Sequence, residues 1–416
     1  MNQFAGAAQK VADTFSEIAE DKLAAVSSLG VALVAHGIDN GNEWPFLTLT
    51  SFQQRASTAL KQSGALYVHV NPIVNTDKRE QWESWVSQEA PKWIEEGLQY
   101  QQQVGTFDFL GRNLTKEDNR LVHPPRQEDS WPMWYHDTEG ETHVDIFKGP
   151  YLPTYQTSPV VYEGSDVNEN ILQSFRTEAP EVCFATNSVV ISEFLISPAG
   201  GMDHEDQHTA IYSLLMSNNA QEIVEYEGDA LSQAFFPIYD TFEEDRKPVA
   251  VMVAWLHWRN YFINILPRSL RGIYLVLGDS CGSSYTYAIE GTEVVNVGVG
   301  DLHDTRFDSE RVSVNYESVK NIADGTRLGL PLNNDFCDIT LDIYSSEQFR
   351  NLFVTSSPII MTVAVAVIFV FTSLLFVAYD RLVEHRQRLV MKRAIETNAV
   401  VASLFPANVR YVQNYY

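Results

Sequence analysis

The chain has 416 residues, 45% of them hydrophobic, and a formal charge of −25. That is enough apolar material for one large domain or two ordinary ones. Residues 1–357 hold 51 of the 54 acidic side chains but only 23 of the 29 basic ones, so the body of the protein is unsuited to holding nucleic acid or an anionic membrane on its surface.

In chain order, residues 3–36 predict one long helix. Phe4, Val11, Phe15, Ile18, Ala25 and Leu29 fall at helical spacing with acidic residues between them. Lys22 interrupts this seam, and His36-Gly37 and Asn40-Gly41 end it. A second helix is expected over 48–63 and a strand over Ala65–Pro72. A third helix over Lys78–Gln103 carries Trp82, Trp85 and Trp93. Residues 105–160, rich in Pro, Asp and aromatics, read as loops over short strands. They contain the single glycosylation sequon, at Asn113.

Residues 204–208, HEDQH, match H-E-x-x-H. On a helix His204 and His208 would face one zinc ion, with Glu205 as general base and Glu227 at a spacing suited to a third ligand. Asp206 puts a charge where such helices are buried, and Gly200-Gly201 stands where the helix should already be running. A solvated acidic loop leading into a helix over Ala210–Met216 fits better, and a membrane-anchored zinc peptidase is the alternative function. His303-Asp304 reads as turn chemistry. No cofactor is expected.

Residues 246–292 predict strand Val249–Trp258, short helix Arg259–Leu266, strand Ile273–Leu277, a polar turn at Asp279–Ser284 and return strand Tyr285–Ile289. This order resembles the PAS-like sheet of extracellular Cache-type sensors, in which the sheet and its overlying loops enclose a small ligand. The fold class expected is therefore α+β, a long N-terminal helix plus a PAS-like antiparallel sheet. Trp255, Trp258 and Tyr261 are the candidate ligand-contacting residues.

Of the three cysteines, Cys281 and Cys337 flank hairpin-like strands and are the favoured disulfide, with Cys183 left over; three free buried thiols are the alternative. Pro358–Tyr379 is 22 uncharged residues, long enough to span ~30 Å of hydrocarbon. Arg381, Arg386, Arg388, Lys392 and Arg393 follow it, which places residues 380–416 in the cytosol and residues 1–357 outside. Met1–Lys10 has neither a basic nor an apolar signal region, so a translocation signal or first membrane helix is expected upstream. From Ile359 to Phe405 there is neither Gly nor Pro, consistent with one continuous helix. Past the membrane Val383, Val390, Ala394, Val401 and Leu404 form a heptad seam, with Gln387 and Thr397 as its polar positions. This suggests a coiled-coil homodimer, with a basic amphipathic anchor on the inner leaflet as the alternative.

Three stretches, DTFEEDRKPVAVMVAWLHWRNYFINILPRSLRGIYLVLGDSCG, CDITLDIYSSEQF and VFTSLLFVAYDRLVEHRQRLVMKRAIETNAVVASLFPANVR, together resemble the receptor-type class III nucleotide cyclases of microalgae; WPFLTL (44–49) and REQWESWV (79–86) fit the same family. The resemblance implies a plasma-membrane receptor whose extracellular Cache-like sensor is followed by a membrane helix and a cytosolic signalling helix. In the family a cyclase domain comes next. Here YVQNYY follows Arg410 and no cyclase core, so no catalytic residue carries over and the chain as given is not expected to be an enzyme. The expected partners are a small extracellular ligand, the membrane and a second copy through the N-terminal and juxtamembrane helices, with no nucleic acid. An adhesion or scaffold ectodomain without a pocket is the remaining alternative.

Overall fold

The computed structural model describes residues 2–41, 43–104, 129–137, 142–160, 166–174, 179–192, 194–196, 229–280, 282–316, 319–320, 338–353 and 357–404. Two units are distinguished, Met1–Phe349 and Arg350–Tyr416.

The first unit begins with α1 (Asn2–Asn40), 39 residues long. Phe4, Ala8, Val11, Ala12, Phe15, Ala19, Leu23, Val26, Leu29 and Leu33 are all buried, because steps of three and four keep them on one side of the helix. Asp13, Glu17, Glu20 and Asp21 face outward. Lys22, the break in the seam, lies with its ammonium 4.9 Å from the centre of the Tyr261 ring; its half-buried stem lines the core edge while the charge meets an aromatic face. Next come α2 (Phe52–Ser63), β1 (Tyr67–Pro72) and α3 (Arg79–Val104), close to the segments the sequence predicts. Gly97 lets α3 approach its neighbour: a Cβ there would stand 2.4 Å from Val160 Cγ2. Gly97→Ala should therefore destabilise the protein by about 1–2 kcal/mol in chemical denaturation, although alanine is the better helix former by about 1 kcal/mol.

Between α3 and the second half of the unit lie β2 (Trp134–His136), β3 (Thr142–Val144), β4 (Thr157–Ser158), α4 (Ile171–Ser174), α5 (Ala179–Thr186), β5 (Val189–Ile191) and β6 (Leu195–Ile196). The long strands β7 (Ala230–Tyr239) and β8 (Pro248–His257) follow, then α6 (Arg259–Phe262), β9 (Arg271–Asp279), β10 (Ser284–Glu290) and β11 (Glu293–Val299). The unit closes with β12 (Val312–Tyr316), β13 (Val319–Lys320), β14 (Ile339–Tyr344) and α7 (Glu347–Phe353), which runs into the second unit.

The strands form two main antiparallel sheets. The larger has seven strands in the order β13-β5-β7-β8-β1-β4, with β6 beside β7; the smaller has five, β11-β10-β9-β14-β12. The sequence analysis expects one sheet across 249–289, and the structure corrects this. β8 belongs to the larger sheet, β9 and β10 to the smaller, and the short helix α6 carries the chain from one to the other. The physical reason is α1. Val68, Val70, Phe236, Met252 and Ala254 of the larger sheet and Leu275, Leu277, Tyr287, Ile289, Leu341 and Ile343 of the smaller pack into one core with it. Phe4 meets Phe349 edge-on at 5.6 Å and Phe15 stacks on Phe262 at 5.3 Å, while a Cβ at Gly30 would touch Ile238 and Met252. One helix face of this length can serve two sheets. The smaller takes its N-terminal half and the larger its C-terminal half.

The second unit contains α8 (Ser357–Leu404), 48 residues without interruption, about 72 Å at the helical rise. Among the described residues it is the one helix long and apolar enough to cross a membrane. Its apolar side chains, from Ile359 through Phe371 to Tyr379, are exposed.

Candidate functional site

The larger sheet has a second face, turned away from α1. Side chains alternate along a strand, so Val68 and Val70 of β1 enter the α1 core while Tyr67, His69 and Asn71 point the other way. The ladder sets their neighbours: Tyr67 opposite Trp255, His69 opposite both Val253 and Thr157, and Gln233 opposite Trp255. Leu152, Ile171, Ala179 and Cys183 cover this face, in one cluster with Phe235 and Val251 of the sheet itself. Cys183 is a free buried thiol, its pKa pushed well up by burial.

Part of the covering is a polar turn, Asp166–Asn170, held in place by its own amides. Asn168 adopts a left-handed backbone (φ 67°), accepts Trp82 Nε1 at 2.9 Å and donates to the Trp131 carbonyl at 2.6 Å. Asn170 donates to Asp145 Oδ2 at 2.7 Å and accepts the Leu152 amide at 3.1 Å. Thr154 N donates to the Glu169 carbonyl at 2.8 Å, and Thr154 Oγ1 accepts Asn71 Nδ2 at 3.0 Å. Arg79 braces the far side, donating from Nε to Glu83 at 2.8 Å and from Nη2 to the Asp145 carbonyl at 2.6 Å. A turn fixed at this many points holds its side chains at set positions above the sheet.

The turn brings carboxylates to the sheet. The Tyr67 hydroxyl donates to Asp166, and burial together with the Asp166 and Glu169 charges pushes the phenol well above its usual range. Glu169 is 3% exposed, and burial raises its carboxyl to about 7. His69 is 1% exposed, and burial lowers it to about 4, so its ring is neutral at physiological pH. Asn71 lies near enough to His69 to favour its charged form, yet among the described residues no group completes a hydrogen bond to either ring nitrogen. Among the described residues Asn71 Oδ1, Thr157 Oγ1, Glu169 Oε1 and Gln233 Nε2 also lack a completed hydrogen bond. An unsatisfied buried polar group costs about 1–3 kcal/mol. Several gathered on one face mark a surface arranged for something other than packing.

The candidates named from sequence separate here. Trp255 lies on this outer face, whereas Trp258 and Tyr261 belong to the α1 core, with Trp258 Nε1 donating to Ser232 at 2.9 Å. They are divided because side chains alternate along β8: Trp258, three positions after Trp255, falls on the α1 side with Ala254 and Leu256, and Tyr261 follows it there in α6. His204, Glu205, His208, Glu227, Cys281, Cys337 and Asn113 lie outside the described residues. The neighbours of the two cysteines are described: Ser280 N donates to the Asp338 carbonyl at 2.9 Å and Asp338 N to Ser280 Oγ at 3.0 Å. The sequence reading passed over Tyr67, His69, Asn71, Thr157, Asp166, Glu169 and Gln233. The one available signal was the polar alternation of YVHVN inside an otherwise apolar strand.

Neither the family models nor the curated proteins contain a match to this chain.

Proposed function

We propose that this chain is the sensory and transmembrane part of a single-pass receptor, with a small polar ligand bound on the outer face of the larger sheet. The observation that carries this reading is the set of buried, incompletely bonded groups on His69, Asn71, Thr157 and Gln233 of the sheet and on Glu169 of the turn held rigid by Asn168 and Asn170. Antiparallel sheet packed along one long helix supports an α+β sensor body, the Cache-type comparison resting on the sequence resemblance, and α8 supports a membrane and signalling helix. The receptor-type cyclases that the sequence resembles would supply the effector class, and the chain itself acts as input rather than as catalyst. Residues 380–404 lie in the cytosol on this reading and pair with a second copy along Val383, Val390, Ala394 and Val401. α1 would contribute to such a dimer only through its outward acidic face, since its apolar seam lies in the chain's own core. A Cys281–Cys337 disulfide, beside the bonded pair Ser280 and Asp338, fits an exoplasmic body.

A thermal-shift screen of the full chain in lipid nanodiscs against a broad library of small polar metabolites tests the reading. The expected result is at least one stabilising compound whose shift is lost in both Thr157→Val and Gln233→Leu. No stabilising compound, or shifts indifferent to both substitutions, would remove the sensor proposal.

A further inference from the structure

The smaller sheet carries a second cluster of charge, independent of the ligand face. After β11 the chain crosses the sheet as a loop, residues 300–311, ending in a 3-10 turn at Thr305–Glu310. His303 lies at the centre of that loop. Its ring stacks on Tyr344 with centroids 3.6 Å apart and planes 9° from parallel. Nδ1 meets Asp301, and Nε2 meets Asp308 Oδ1 at 2.6 Å. A carboxylate accepts and does not donate, so both contacts are hydrogen bonds only when both ring nitrogens carry protons. The neutral ring must turn a lone pair toward one of the two carboxylates.

The same loop touches the end of the body at further points. Arg306 pairs with Asp304 at 2.6 Å and reaches Glu347, in the first turn of α7, at 3.4 Å. Arg311 pairs with Asp342 of β14 at 2.8 Å. Phe307 is buried beneath the loop. The groups around the imidazole are therefore Asp301, Asp304 and Asp308 within the loop, its arginines Arg306 and Arg311, and Asp342, Tyr344 and Glu347 from β14 and α7. β14 ends at Tyr344 and α8 begins at Ser357, so the loop grips the segment through which the body continues toward the membrane helix.

We propose that His303 is a proton-operated clasp: doubly protonated, it holds loop 300–311 on the exit strand β14, and loss of one proton loosens that grip. Partial burial opposes the charge, but the hydrogen bonds and charges of Asp301 and Asp308 outweigh it and raise the pKa above its ordinary value. A group raised on folding stabilises fully below its unfolded pKa of about 6.5 and ceases to do so as pH climbs through the folded value. The clasp is thus closed at mildly acidic pH and opens on the alkaline side.

Hydrogen exchange of the full chain in nanodiscs, corrected for intrinsic rates, tests this. Protection of peptides from 300–316 and 339–349 should fall between pH 6 and pH 9 by about tenfold for each unit by which the folded pKa exceeds the unfolded one. In His303→Gln the fall in these peptides should be lost. Deuterium exchange at the His303 ring Cε1, followed against pH, should give a midpoint above about 6.5 that moves down in Asp308→Asn. pH-independent protection in the native chain, a fall that persists in His303→Gln, or a ring midpoint at or below the ordinary value would each overturn the clasp.

Discussion

Phe15→Ala should cost the Met1–Phe349 unit about 3–5 kcal/mol, measured by urea denaturation of the solubilised full chain followed by tryptophan fluorescence. Phe15 has no exposed surface. It stacks on Phe262 at 5.3 Å and lies 6.2 Å from Trp258, the two aromatic residues at the crossing between the sheets. Truncation leaves a cavity bounded by α1 on one side and by α6 on the other, and neither can move inward without withdrawing from a sheet. The penalty thus belongs at the upper end of the range for large-to-small changes, where collapse is incomplete. The loss should appear in one transition reporting both sheets, because they share the helix. A loss below about 1 kcal/mol, or separate transitions, would contradict the shared core.

The second large effect has the opposite sign. Glu169→Gln should stabilise the protein by up to about 3 kcal/mol at pH 8 and by almost nothing at pH 4.5. The folded carboxyl titrates near 7 because it is desolvated, against 4.5 for the free group. Below pH 4.5 it is neutral folded and unfolded, and contributes no difference. Between 4.5 and 7 the unfolded chain ionises while the folded one does not, so native stability falls with rising pH. Above 7 the penalty is constant, and the amide removes it. Urea midpoints for both proteins across pH 4.5–8.5 give the comparison; a constant difference with pH would mean that Glu169 is not desolvated as described. A buried carboxyl that costs stability at neutral pH is what a ligand-contacting acid on the proposed face requires, which links the measurement to that face.

The elements most legible in the sequence are those whose pattern is local. The α1 seam from Phe4 to Leu29 repeats at helical spacing and its members lie against the sheets. The apolar run from Ile359 reads directly as a helix long enough to span, and β1, β8, β9 and β10 appear close to their expected limits. The division into two sheets was not legible, because nothing within 246–292 states which strands share hydrogen bonds; the partner of β9 besides β10 is β14, far along the chain. The candidate site was hidden for the same reason. Tyr67 and Asp166 meet across 99 positions of sequence, and Trp82 and Asn168 across 86. Asp166–Asn170 reads as an ordinary polar turn until the tryptophans that anchor it are seen. Trp255 and Trp258 are three positions apart, so strand alternation alone puts them on opposite faces, and only Trp255 reaches the outer one.

The order in which the chain is made gives α1 a further significance. Its buried face is complete by Val34, yet apart from α2 and β1 the elements that cover it run from β7 to β14, some two to three hundred residues later. At synthesis rates of about 5–20 residues per second, that interval is on the order of 10–60 s. Throughout it Val11, Phe15, Leu23 and Leu29 form an apolar stripe that only α2 and β1 of the chain made so far can partly cover. A stripe left that open is the segment of the nascent chain most prone to association, and the acid on its other side, at Asp13, Glu17, Glu20 and Asp21, adds the like-charge repulsion that opposes it.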